Sequence, residues 1–161
     1  MDARERRFTV EELQNAYVHC IDSDRLEEWP DFFTDPCLYE VTTRENIEQG
    51  LPVGVISCDS KGMLRDRIVA LRQANIYGPH RYRHMVSAVR VTGVERNTIT
   101  AETNYAVYRT MLDPVNYGHS ELYSVGVYQD TIVIEQGVAR FRAKTVLVDT
   151  ARILSLLVTP L

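Results

Sequence analysis

Two arginines and a histidine stand at the start of a long β-type run, in the stretch HRYRHMVS at residues 80–87. Side chains alternate along a strand, so Arg81 and Arg83 share one face while Tyr82 and His84 share the other. Planar guanidinium groups recognise carboxylates through paired hydrogen bonds, and Arg and Tyr are enriched at protein interfaces. We therefore predict that these four residues belong to a subunit interface.

Two apolar residues complete the predicted interface. Trp29 is the single tryptophan of the chain, and Leu161 closes a segment, residues 153–161, that is apolar almost throughout. A segment of this composition does not stay exposed as a loose tail. It is predicted to pack on the chain's own sheet or on another chain.

Acid–base chemistry would need carboxyl, imidazole or phenol groups that converge in a pocket. The candidates are Tyr17, Asp22, Tyr39, Asp24, His84 and Asp130. Structural roles explain most of them better. Tyr17 lies in an apolar stripe and is predicted in the core, while Asp22 and Asp24 are predicted to cap the next helix. Asp130 is predicted to face solvent or to pair with an arginine of a neighbouring strand. For His84, a hydrogen-bonded strand histidine is the preferred interpretation over a general base.

The spacing of cysteines and histidines does not indicate a metal site. A cluster held by two cysteines and two histidines needs Cys-x-His and Cys-x-x-His pairs, and none of Cys20, Cys37 and Cys58 has a histidine at either spacing. A mononuclear iron site needs two histidines and a carboxylate, and nothing in the pattern brings such a set together. We therefore predict no catalytic residue, cofactor or metal ligand in this chain.

Length and composition limit the class of protein. A chain of 161 residues fits one domain, residues 1–161, and 45% hydrophobic residues suffice for a core. The net charge of −4 argues against nucleic acid as a partner. No apolar run is long enough for a membrane span, and the N-terminal residues lack the apolar core of a signal peptide. The odd number of cysteines makes a disulfide framework improbable, so a cytoplasmic location is predicted.

The first half of the chain has helical patterns. Residues 1–7 are charged and are predicted to fray, and Thr9, with Glu12 at the capping-box position, is predicted to begin a helix that reaches Ile21. Further on, the patterns predict a short helix (Leu26–Phe33), a strand (Cys37–Thr43), a loop with at most a short strand (Arg44–Ser57), and a helix that Asp59 or Ser60 caps and that ends near Asn75.

The second half reads as β-structure throughout. Four long runs rich in Val, Tyr, Thr and Ile are predicted as strands: Tyr82–Val94, Thr98–Met111, Ser120–Ile134 and Val138–Val148. Turn-like residues at 96–97 and 136–137 predict hairpins, and Gly126 within a strand predicts a bulge or a sharp bend. Helices followed by antiparallel strands indicate an α+β fold, with the N-terminal helices filling the concave face of the curved sheet.

Four segments together resemble the small (β) subunits of Rieske-type aromatic-ring-hydroxylating dioxygenases. They are IDSDRLEEWPDFF (21–33) with CLYEV (37–41), MLRDRIVAL (63–71), residues 80–91, and the closing VDT (148–150) with Pro160-Leu161. They span most of the chain in the family's order, and the nearest similarity is to terephthalate dioxygenase small subunits. The chain departs from the family wording at Ala88, where an asparagine is usual.

The resemblance implies a cone-shaped, antiparallel sheet packed on helices, of the nuclear-transport-factor-2-like (NTF2-like) or cystatin-like type. It implies a non-catalytic subunit that trimerises beneath a ring of large (α) subunits in an α3β3 heterohexamer. The large subunit is then expected to hold the Rieske [2Fe-2S] cluster and a mononuclear Fe(II), and to receive electrons from a reductase. The holoenzyme would add O2 to an aromatic acid, giving a cis-dihydrodiol.

Three alternatives stay open. Small subunits of salicylate or anthranilate hydroxylases resemble the chain as well. From another functional class, a stand-alone dehydratase or isomerase of the same fold would use His84 with Tyr17 or an aspartate. A plain homo-oligomeric binding module is the third possibility.

Overall fold

The computed structural model describes residues 1–50, 54–73, 78–149 and 159–161. In this part of the chain the helices are α1 (Ala3–Asp22), a 3-10 helix (Leu26–Phe32), α2 (Arg44–Glu48) and α3 (Lys61–Gln73). The strands are β1 (Phe33–Thr43), β2 (Ile56–Cys58), β3 (His80–Glu95), β4 (Thr98–Met111), β5 (Ser120–Glu135) and β6 (Val138–Val148). Helices packed on one sheet confirm the predicted α+β class. None of the described helices is long and apolar enough to cross a membrane.

Helix α1 begins earlier than predicted. The Asp2 carboxylate accepts a hydrogen bond from the Glu5 N–H at 2.8 Å, and the Glu5 carboxylate accepts one from the Asp2 N–H at 2.7 Å. This reciprocal capping box satisfies two backbone donors at the helix start. The predictions of frayed residues 1–7 and of an N-cap at Thr9 are therefore wrong. The Thr9 hydroxyl instead donates to the Glu5 carbonyl within the helix.

The region between β1 and β3 agrees only partly with the prediction. Residues 44–57 were expected to be a loop with at most a short strand, and they contain the short helix α2 and the beginning of β2. Ser60 occupies the start of α3, where its hydroxyl accepts from the Met63 N–H at 3.4 Å. The predicted end of this helix near Asn75 lies outside the described residues.

The six strands form one sheet in the order β2-β1-β6-β5-β4-β3. Neighbouring strands are antiparallel except β1 and β6, which are parallel. The sheet is therefore mixed, and the predicted purely antiparallel sheet is wrong at this pair. The direction in which β1 meets β6 depends on a contact between the two ends of the chain, which no local pattern reports.

Both predicted hairpins are present. Residues 96–97 join β3 to β4, and residues 136–137 join β5 to β6. Gln136 and Gly137 both have positive φ, 52° and 78°, as the favoured two-residue hairpin turn requires. The predicted limits of β4 and β6 agree with the structure.

The predicted bulge at Gly126 is absent, and glycine is needed at this position for another reason. The strand register is unbroken there, with Gly126 opposite Tyr105 on one side and Val148 on the other. A Cβ at this position would lie 2.0 Å from the Leu147 carbonyl oxygen, so the close approach of two backbones excludes any larger residue. A register shift occurs instead in β3 around Ala88, whose φ is +53°. Asparagine adopts this conformation more readily than alanine.

The N-terminal helices fill the concave face of the sheet, as predicted. Six aromatic side chains from both halves of the chain meet there in mostly edge-to-face contacts, namely Tyr17, Trp29, Phe33, Tyr39, Tyr128 and Phe141. Leu161 is fully buried in the same core. Its main-chain oxygen accepts from the Tyr17 hydroxyl at 2.7 Å, and its N–H donates to the Tyr39 hydroxyl at 3.0 Å.

Candidate functional site

The six residues predicted for the interface divide between surface and core. Arg81 and Arg83 are exposed on the outer face of β3, and Tyr82 and His84 are buried on its inner face, as the period of two requires. The other two, Trp29 and Leu161, have no exposed surface at all. Only the two arginines therefore remain as side chains that a partner could contact directly. The apolar end of the chain packs on its own core at Leu161, while residues 150–158 lie outside the described part.

An exposed apolar surface adjoins Arg83. The strand register aligns Arg83 of β3, Tyr108 of β4 and Leu122 of β5 in one row across the sheet. Tyr108 is 43% exposed, Leu122 50%, and Met85, next on this face of β3, 56%. We call these four residues the outer patch. Exposed apolar side chains gathered on a sheet, with an arginine beside them, are typical of a protein–protein contact.

Sequence reasoning did not single out three members of the outer patch. Met85, Tyr108 and Leu122 were included in predicted strands without an assigned face. Alternation along each strand would have placed them opposite the buried residues. Which strands lie side by side, and in what register, was needed to show that they form one surface.

A cavity of about 560 Å³ lies at the rim, between the last residues of α1 and the first residues of β3. Its lining includes Asp22 and Asp24 on one side and Arg81, Tyr82 and Arg83 on the other. Strand β3, which carries the predicted interface residues 81–84, therefore borders both the cavity and the outer patch.

Asp22 and His84 form a close pair at this rim. The Asp22 carboxylate accepts from the His84 backbone N–H at 2.9 Å and lies 2.6 Å from its ring Nδ1. The prediction that Asp22 caps the following helix is therefore wrong, because the carboxylate ties the end of α1 to β3. The His84 Nε2 atom is buried and has no hydrogen-bond partner among the described residues. An imidazole paired with a carboxylate can act as a general base, but this nitrogen is closed off from solvent.

A second charged cluster lies deeper inside the sheet. The Lys144 ammonium donates to Asp130 at 3.1 Å and to the Gln14 side-chain oxygen at 3.0 Å. It also lies 3.7 Å from the centre of the Tyr128 ring, within cation–π range. Asp130 is therefore buried and pairs with a lysine of β6, which contradicts both of its predicted positions. The Gln14 amide donates to the same carboxylate, so α1 is joined to the sheet.

Burial shifts the pKa values of this pair in opposite directions. Desolvation raises the pKa of Asp130, although Lys144 and Gln14 act against the rise. Desolvation likewise lowers the pKa of Lys144 to about 8, and the attraction of Asp130 opposes the change. Burying each charge costs desolvation free energy, and the attraction between Asp130 and Lys144 offsets part of that cost.

The acid–base candidates do not converge on one open site. Tyr17 is buried in the core, as predicted, and its hydroxyl is taken by Leu161. Burial raises the pKa of Tyr39 to about 12, so its phenol stays protonated near neutral pH. Asp24 is exposed, and its carboxylate accepts from Arg72 at 2.9 Å. The prediction that Asp24 caps the next helix is therefore wrong, because its carboxylate forms an ion pair with Arg72 of α3.

Metal-binding groups do not cluster in the described ranges. Within residues 1–50, 54–73, 78–149 and 159–161, no three His, Cys, Asp or Glu side chains are placed to hold an ion. Cys20, Cys37 and Cys58 are buried and unpaired, and desolvation raises the pKa of each thiol. Burial and raised pKa values favour packing roles for these cysteines over thiolate chemistry.

Comparison with known proteins gives a consistent relationship. Residues 2–145 match the family model of the SnoaL-like domain. The chain is 44% identical over 154 residues to the anthranilate 1,2-dioxygenase small subunit of Burkholderia cepacia, covering 96% of this chain and 93% of that one. It is 38% identical over 146 residues to a terephthalate 1,2-dioxygenase terminal oxygenase component subunit beta of a Comamonas species, covering 91% and 92%.

A solved structure agrees with these relatives. A crystal structure from Novosphingobium aromaticivorans, assigned as the beta subunit of an aromatic-ring-hydroxylating dioxygenase, superposes with a TM-score of 0.89. The two sequences are 43% identical, and the superposition covers 99% of both chains.

Proposed function

The chain belongs to the SnoaL-like family and, within it, to the small subunits of aromatic-ring-hydroxylating dioxygenases, and on this premise we propose that it is a structural, non-catalytic subunit of a terminal oxygenase. Its role is to support a large subunit that carries out ring oxygenation. The proposed assembly is an α3β3 heterohexamer in the cytoplasm, with contacts between small subunits as well as to the large one. Nucleic acid and membrane have no part in it.

The observation that carries this proposal is the contrast between a closed interior and an open outer sheet face. The acid–base groups inside the sheet are buried and bonded to other elements of the same chain, as Asp22 is to His84. Arg83, Met85, Tyr108 and Leu122 lie together on the opposite face and are exposed. A protein that works through contacts needs such a surface, whereas an enzyme needs an accessible reactive group.

The holoenzyme is proposed to act on an aromatic carboxylate. The relatives named above act, by their names, on anthranilate and on terephthalate, and the identities are 44% and 38%. Terephthalate was the first expectation from the sequence. The higher identity to the anthranilate relative supports an anthranilate-type substrate as a second option, and salicylate is the third.

The iron chemistry is assigned to the partner. A Rieske cluster and a mononuclear Fe(II) in the large subunit would supply electrons and activate O2, with a reductase as the electron source. Residues of the present chain would hold the large subunits in position. Metal analysis of the purified chain is expected to find no stoichiometric iron.

Light-scattering mass tests the assembly. The chain is expressed alone and then together with the large oxygenase subunit that we expect to be encoded beside it. A heterohexamer that forms only in co-expression, with iron and dioxygenase activity following the large subunit, is the expected result. An oligomer of this chain whose mass does not change when the large subunit is co-expressed would contradict the proposal.

One observation favours a second candidate, a stand-alone dehydratase or isomerase. The Asp22–His84 pair, at 2.6 Å, has the composition of an acid–base dyad. Its buried, unexposed Nε2 counts against catalysis in this conformation. Turnover of a small cyclic hydroxyketone by the isolated chain, lost in His84→Ala and kept in Arg83→Glu, would favour this candidate over the structural role.

A further inference from the structure

Strand β3 is an edge of the sheet, and its first residues carry backbone groups that β4 does not reach. The His84 N–H points away from β4, since it donates to Asp22 at 2.9 Å. The Pro79 carbonyl points toward the β4 side, where it accepts from the Leu112 N–H at 2.8 Å. Alternate residues of a strand direct their N–H and C=O groups to the same side. The N–H and C=O of Tyr82 therefore point off the sheet, in the same direction as the His84 N–H.

The rim cavity lies along this same edge. Its volume of about 560 Å³ exceeds what a few water molecules need and is enough for a short stretch of extended chain. Tyr82 lines it, between Arg81 and Arg83. Among the described residues, no backbone hydrogen bond reaches Tyr82 from the side away from β4. An open strand edge beside a cavity is where an added peptide strand can form main-chain hydrogen bonds.

Around the cavity, the carboxylates have partners within the chain, whereas two arginines have none among the described residues. The carboxylate of Asp22 is held by His84, and that of Asp24 by Arg72 at 2.9 Å. Arg81 and Arg83, in contrast, make no side-chain hydrogen bond or ion pair with any residue of the described part of the chain. Two guanidinium groups, two residues apart on one strand face, thus remain available for carboxylates from outside.

Resting on the proposed function, we propose that an extended acidic segment of the large oxygenase subunit adds to the β3 edge along residues 80–83. Its backbone bonds to the N–H and C=O of Tyr82. Its Asp or Glu side chains, two residues apart, lie across from Arg81 and Arg83, where paired N–H···O bonds to guanidinium are strong. The segment ends at His84, because Asp22 already occupies the N–H there.

The two edges of the sheet favour the large subunit over a second copy of this chain as the source of this segment. The added segment must offer free backbone groups, and within the described residues the other sheet edge is β2, only 3 residues long. This strand, Ile56–Cys58, contains no acidic residue. Neither described sheet edge of a second copy therefore supplies acidic residues two apart, and we assign the segment to the large subunit.

A double charge reversal tests the proposal in the assembled oxygenase. Arg81→Glu with Arg83→Glu is co-expressed with the large subunit, and dissociation of the complex is measured by mass photometry. The affinity is expected to fall by about 30-fold or more, because opposed interface charges are left unpaired or repelled. The matched control is Arg142→Glu on β6, an exposed arginine away from the cavity. Circular dichroism of each free chain verifies folding, and Arg81→Gln with Arg83→Gln provides a milder variant.

A photo-crosslinking residue at position 83 then identifies the occupant. Crosslinks are expected on a large-subunit segment with acidic residues two apart, and hydrogen exchange of residues 80–83 is expected to slow on assembly. Crosslinks to a second copy of this chain, or unchanged affinity of the folded double reversal, would overturn the inference and leave the proposed function standing. If the unaltered chain does not assemble with the large subunit, the proposed function fails and the inference fails with it.

Discussion

The inner face of the curved sheet contains a buried, paired set of charges, whereas the start of β3 carries exposed arginines on the outer face. On the inner face, Asp130 and Lys144 are fully buried and bonded to each other. At the outer edge, Arg81 and Arg83 are exposed and have no partner in the described part of the chain. The inner pair joins α1 and the strands of a single chain, and on the outer face Arg90 is paired with Glu102 of the same chain. Arg81 and Arg83, in contrast, are available to another protein. Under the proposed function, the inner pair maintains the fold, and Arg81 and Arg83 maintain the assembly.

Removing the Asp130 carboxylate is expected to have the largest effect on folding. Asp130→Ala leaves the Lys144 ammonium buried without its counter-charge, and breaking a buried pair in this way costs about 3–5 kcal/mol. Urea denaturation followed by circular dichroism measures the free energy of unfolding. The control, Asp130→Leu with Lys144→Met, removes both charges and is expected to recover most of the loss. A cost below about 1 kcal/mol for the single variant would show that the inner pair does not hold the fold.

Shortening Leu161 is expected to have the next largest effect. Leu161→Ala removes a fully buried side chain from the aromatic core, which typically costs about 2–5 kcal/mol. The same denaturation experiment measures it, with Val115→Ala, at a 90% exposed loop position, as the control expected to be near neutral. Unchanged stability together with loss of the oligomer would place Leu161 at an interface instead.

The inner pair also predicts a pH dependence. Burial lowers the pKa of Lys144 to about 8, while an unfolded lysine titrates near about 10.4. Between these values the unfolded state binds more protons, so the stability contributed by this residue rises as pH increases from about 8 to 10. The stability difference between the natural chain and the Asp130→Leu, Lys144→Met variant should grow in this window by on the order of 1–2 kcal/mol. A constant difference from pH 7 to 10 would exclude a depressed lysine pKa.

The outer patch should have the smallest effect on stability. Tyr108→Ser and Leu122→Ser change exposed side chains, so each is expected to shift the unfolding free energy by no more than about 0.5 kcal/mol. The same variants should reduce the light-scattering mass of the assembly. Val94→Ser, an exposed valine near the far end of β3, is the control. A complete assembly with both patch residues changed would exclude this surface as a contact.

Local sequence patterns predicted strand limits and turns because these features depend mainly on residues close together in the chain. Alternating apolar residues gave the limits of β4 and β6, and the turn residues at 96–97 and 136–137 gave both hairpins. Tyr17 was recognised as core from its helical spacing. The start of α1 was missed although Asp2 and Glu5 have the spacing of a capping box, since charge density alone suggested fraying.

Predictions about partners of single residues failed where the partner is distant in sequence. Asp22 and His84 are 62 positions apart, and Asp24 and Arg72 are 48 apart. Nothing near Asp22 distinguishes a helix cap from a tie to a strand. Trp29 was predicted at an interface and is buried in the core, because the number of neighbours around a side chain depends on all the elements that pack there.

The amino-acid sequence by itself determined the α+β class, the hairpins, the alternation that puts Arg81 and Arg83 on one face, and the family resemblance. These follow from the period of each element and from motifs that lie within short segments. The tertiary structure alone decided that β1 runs parallel to β6, that Lys144 pairs with Asp130, and that Arg83 joins Met85, Tyr108 and Leu122 in one surface. Strand order and register bring distant residues together, and they are set by the packing of the whole chain.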